Sequence, residues 1–119
     1  MRSRSALFAT LVLAAFVVTA CAPSVSFPDR APDAEGVAKA VVPSGEDTVG
    51  FVLAGYADGD YFNEAMITVG PETVVGDSEG RPIDPMALTS GSVVSVWVDV
   101  CAESYPVQCV ATHVRVEKV

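Results

Sequence analysis

The residues able to do chemistry are few: three cysteines, one histidine and one tryptophan in a chain of 119 residues. With Cys21 set aside for the amino-terminal motif, His113, Cys101 and Cys109 supply only three ligands, one short of a structural zinc site. No serine elbow accompanies His113 either, and no catalytic residue is assigned. Asp58, Asp60, Asp77 and Glu79 stand in turns beside glycine, as hard-cation ligands often do. Neither turn has the regularly spaced ligand loop of a calcium hand, so solvated turns are expected there, with no metal and no cofactor. Two features remain that could bind something. Trp97 and His113 could form an aromatic platform, or they could simply pack. The segment Glu103-Ser104-Tyr105-Pro106-Val107-Gln108 could be a recognition tip, or a turn whose residues serve to fix strand register. The candidate binding residues are therefore Trp97, Glu103, Tyr105 and His113.

The amino terminus says where such a site would work. A basic head, Met1-Arg2-Ser3-Arg4, precedes an apolar run over residues 6–18, the pattern of a secretory signal. The run falls short of the ~20 apolar residues a spanning helix needs. Val18-Thr19-Ala20-Cys21 resembles the bacterial lipobox, in which the cysteine is acylated and becomes the new amino terminus. The resemblance implies lipidation at Cys21 and attachment to a membrane, since more than one acyl chain makes anchoring stable. An ordinary signal peptide ending at Ala20 is the alternative. Ala22 rather than Asp follows the cysteine, which by the family rule implies the outer membrane where a cell has two.

Removal of residues 1–20 leaves five basic side chains against all 15 acidic ones, a net of −10. Such a surface repels phosphate backbones, so no nucleic acid is expected as a partner, and bare anionic lipid is disfavoured too.

The candidate binding residues must be positioned by residues 91–119, whose side chains alternate as in two paired strands. Val94, Val96, Val98 and Val100 fall on one face, and Val110, Val114 and Val116 on the matching face of the second arm. Folding back around Tyr105 sets Cys101 opposite Cys109, Val100 opposite Val110, Val96 opposite Val114 and Trp97 opposite His113. With Cys21 assigned to lipid, Cys101 and Cys109 form an even pair in an oxidising compartment, and a disulfide is expected. Closing so short a loop is worth roughly 2–3 kcal/mol, which matters to a domain of about 70 residues.

Before this hairpin, residues 21–47 carry Pro23, Pro28, Pro32 and Pro43 among small and polar residues and read as a lipidated tether. As a coil it holds the domain roughly 25–30 Å from the bilayer. Within it, residues 37–42 could add an edge strand, which Pro43 would end. Strands are expected over residues 48–56, 61–69 and 73–75, with polar turns between them. Asp84 and Pro85 can start one helical turn through Leu88. Five strands and one such turn over residues 48–119 give an all-β, small and strongly curled barrel, with an open two-layer meander as the alternative.

Trp97 with the following Glu-Ser-Tyr-Pro loop, then Ala111 and the alternating valines, is similar to the YobA-like family of small exported or lipid-anchored bacterial proteins. That resemblance implies a five-stranded barrel of the oligonucleotide/oligosaccharide-binding (OB) type and no known activity; the cysteine pair is not part of it. Functionally the chain reads as a membrane-anchored, extracytoplasmic binding module for an envelope protein or a small ligand. The alternative is a structural part of an envelope assembly, and an enzyme is the third choice.

Overall fold

The computed structural model describes residues 23–55 and 60–118. Six strands and one 3₁₀ turn follow in order: β1 (Ala34–Gly45), β2 (Thr48–Ala54), β3 (Met66–Val69), β4 (Val74–Asp77), the turn Pro85–Ala87, β5 (Val93–Ala102) and β6 (Gln108–Lys118). The expected signal peptide and lipidation site, residues 1–20 and Cys21, lie outside the described residues.

The sheet closes on itself. Its order is β3-β2-β1-β5-β6, and β3 returns to pair with β6 in parallel, Ile67 facing Cys109. This ring of five staves, with one parallel seam, has the connectivity of an OB barrel. Closure removes the free edges that an open sheet would expose. β4 continues the stave of β3 along the second half of β6, Val75 facing Val114.

Alternation fixed the register of the β5–β6 hairpin. Val94 faces Val116, Val96 faces Val114, Trp97 faces His113, and Cys101 faces Cys109 with a disulfide between them. Between these fixed points the ladder is irregular. Val98 faces Ala111, so Thr112 is an extra residue on β6; Asp99 and Val100 then stand where β6 has only Val110. The two bulges offset each other, which restores the register at the disulfide. Each one switches the inward face, because side chains alternate with a period of two. Val94, Val96, Val114 and Val116 fill the core, whereas beyond the bulges Cys109 and Ala111 are buried. Val100 and Val110 point outward, 69% and 57% exposed, contrary to the buried pairing the sequence implied.

β1 corrects the expected tether. It lies between β2 and β5, Val37 facing both Ala54 and Val93, so it is a central stave. Its inward residues are Ala34 and Ala38, packed beside Phe51 and Leu53. At Gly36 the strands approach so closely that a Cβ would collide with the Ala54 carbonyl. Pro43 is tolerated because that part of β1 borders β2 alone, with register shifts on either side.

β3 is shorter than the strand expected from residue 61. Asp60 accepts the Phe62 N–H through its carboxylate at 3.1 Å and the Asn63 N–H through its carbonyl at 3.0 Å, which folds residues 60–64 into a turn. Ala65, Ile67 and Val69 still line the core. Asp84 caps the 3₁₀ turn as anticipated, its carboxylate accepting the Met86 N–H at 2.9 Å.

Candidate functional site

Two aromatic surfaces lie on the outside of this barrel. On the first, Trp97, His113 and Arg115 project outward because they alternate with the inward valines. The segment before β1 runs across them as a strap. Phe27 stacks on Trp97 with ring centroids 5.4 Å apart and planes 20° from parallel, and the Trp97 indole N–H donates to the Arg30 carbonyl at 3.0 Å. The Arg115 guanidinium lies 5.1 Å from the Trp97 ring and 5.6 Å from that of Phe27. Trp97 is thereby only 1% exposed. His113 meets Trp97 edge-on, as the register required, and its Nδ1 lies 3.0 Å from the Thr112 hydroxyl.

The strap is fastened at both ends. Asp33 accepts the Val98 N–H at 2.8 Å and pairs with Arg30 at 2.7 Å. Burial works to raise the Asp33 carboxyl, but the hydrogen bonds from Arg30 and Val98 together carry it below the usual aspartate value. At the other end the Val25 N–H donates to the Gly80 carbonyl at 2.8 Å. There Asp77 accepts the backbone N–H and the guanidinium of Arg81, at 2.9 and 2.7 Å, and these bonds lower its pKa despite some burial. Glu79 also pairs with Arg81, at 3.2 Å, so the two anions of this turn share one cation. Asp58 lies outside the described residues.

The second surface is uncovered. Tyr105 sits at the tip of the β5–β6 hairpin and is fully exposed, with Glu103 exposed beside it. The tip is ordered by short bonds: Ser104 donates its N–H to the Ala102 carbonyl at 2.8 Å and its hydroxyl to the Pro106 carbonyl at 2.7 Å, and the Tyr105–Pro106 peptide is cis. Beneath it runs a groove of about 570 Å³ bordered by Tyr61, Asn63, Glu64, Met66, Tyr105 and Val107. Tyr61 and Met66 are 50% and 44% exposed. The groove lies against the outer face of β2 and β3, beside the loop joining the last two barrel strands, where OB barrels bind their ligands.

Trp97 and Tyr105 therefore do not share a site. The hairpin tip starts more than five residues beyond Trp97, about 17 Å or more along the strand, and Trp97 is already occupied by Phe27. Glu103 and Tyr105 stay together on the open surface. His113 faces instead a separate shallow groove of about 620 Å³, with Pro71, Glu72, Asp99, Val100 and Val110 around it. Tyr61 and Met66 are not legible as site residues because both have the pattern of an ordinary strand; the Asp60 turn is the signal that this strand begins later.

No family model, no curated protein and no solved structure matches the chain.

Proposed function

We propose that the chain is a lipid-anchored, extracytoplasmic binding module whose open groove holds a neutral or basic segment of an envelope protein. Support comes first from the contrast in exposure. An aromatic side chain left in water, where Trp97 on the same hairpin is covered, costs apolar hydration, and Tyr105, Tyr61 and Met66 share that condition around a single groove. Glu64 and Asp60 edge the groove and Glu103 flanks the tip, which disfavours an anionic occupant. The lipobox-like sequence around Cys21 supports the address.

A photo-crosslinking side chain placed at position 105 in the native membrane tests this reading, with one at Ser78 as control. Adducts at 105 that map to a neutral or basic segment, and that vanish with Tyr61→Ser, are expected. Adducts to an acidic segment, or equal adducts at both positions, would overturn it. The covering of the Trp97 face favours a second reading, a purely structural part of an envelope assembly. That reading predicts that Tyr61→Ser leaves the adducts formed at position 105 unchanged.

A further inference from the structure

The strap changes how far this domain can stand from a membrane. Val25 is already bonded to Gly80 and lies over Gly76, where a Cβ would run into Val25 and approach Phe27 Cζ to 3.3 Å. Only four residue steps separate Cys21 from Val25. Fully extended, they reach at most about 14 Å. We infer that the lipidated protein sits directly against the bilayer headgroups, with the edge formed by Val25 and the Asp77–Arg81 turn facing the lipid and the Tyr61–Tyr105 groove facing away. This rests on lipidation at Cys21, part of the function proposed above.

The orientation follows from the positions of the two ends on one strand. The strap is docked beside Gly76 and Asp77, which pair with Arg115 and Val116 of β6. The groove borders Met66, which pairs with Gln108 at the other end of β6. About seven or eight strand residues, roughly 25 Å, therefore separate the anchored edge from the groove. Charge acts in the same sense. Arg81 offsets one of the two negative charges of Asp77 and Glu79 at the anchored edge, whereas the three carboxylates Asp60, Glu64 and Glu103 lie at the far end and are repelled more strongly by anionic lipid. The partner surface is thus a lipid headgroup layer, and the groove is presented to whatever lies beyond it.

Spin labels at Ser78→Cys and Ser104→Cys, in full-length protein isolated with its acyl groups, test this in phosphatidylcholine vesicles doped with a nickel-chelating headgroup lipid. Relaxation enhancement should be several-fold larger at 78 than at 104. A 20-residue Gly/Ser insertion between Ala22 and Pro23 should abolish the excess without unfolding the barrel. Equal enhancement at the two positions in the uninserted protein, or a larger one at 104, would overturn the orientation. Excess at 78 that survives the insertion would overturn the leash as its cause. Intact mass separates these failures from a failure of the underlying reading: a mature protein without acyl groups refutes lipidation itself, and the inference with it.

Discussion

Two aromatic surfaces of one small barrel have opposite fates. Trp97 is stacked under Phe27, hydrogen-bonded to the Arg30 carbonyl and flanked by Arg115, while Tyr105 at the hairpin tip touches almost nothing of its own chain. The difference separates an aromatic that holds the fold from one that is left for another molecule. It also locates the division of labour: the first half of the β5–β6 hairpin belongs to the core and the strap, and the second half, past two bulges, carries the open surface.

The contrast is broken most severely by truncating each aromatic in turn. Trp97→Ala should cost about 3–5 kcal/mol of unfolding free energy, the range for large buried aromatics. Tyr105→Ala should change it by less than about 0.5 kcal/mol, as for exposed sites. Urea titration of both variants measures the difference, and comparable losses would erase the distinction between the two surfaces.

Next in size is the staple beneath the open tip. Replacing Cys101 and Cys109 by serine removes the cross-strand disulfide and should cost roughly 2–3 kcal/mol. Hydrogen exchange should then rise at residues 99–110 well before it rises at residues 94–97. A uniform increase along both strands would mean that the two halves of the hairpin are not separable.

Much of this hairpin was legible in the sequence because parity is a strong constraint. One register alone brings Cys101 to Cys109 and Val96 to Val114, and the structure keeps it. The bulges were not legible, since nothing in Val98, Val100 or Thr112 announces an extra residue; the valine-in rule consequently failed between them. β1 was legible only as an optional edge strand over residues 37–42, and its central place was hidden for a different reason. Its inward positions are Ala34 and Ala38, which suit a tight barrel opposite Phe51 and Leu53 but resemble a linker in composition. The prolines reinforced that impression, although Pro28 and Pro32 lie in the strap and Pro43 in a stretch paired on one side. Trp97 could be placed opposite His113 and expected to pack, but no local pattern identified Phe27 as the residue it packs against.

Phe27 offers a subtler probe. It is only partly buried, so Phe27→Ala should cost about 1–2 kcal/mol, less than a core aromatic. The loss should be largely absent when Trp97 is already alanine, and additive losses in the double-mutant cycle would deny that the two rings act as a pair.

The smallest effect concerns pH. Asp33 has a pKa below the ordinary value of 3.8 when folded. Its contribution is therefore complete at neutral pH and is lost as pH falls below that value through the folded pKa, because protonation then favours the unfolded chain. Asp33→Asn should lower stability at neutral pH by about 0.5–1 kcal/mol and flatten the acid side of the stability profile. An unchanged acid slope in thermal melts would show that the strap is fastened by other means.

The central claim, that residues before β1 belong to the fold and cover the tryptophan, can be read from Trp97 itself, the single tryptophan of the chain. Iodide and acrylamide quenching of the intact protein should be close to that of a buried indole, rising several-fold when residues 23–33 are replaced by a Gly/Ser segment of equal length. Quenching of the intact protein as strong as that of the urea-unfolded chain would contradict the account.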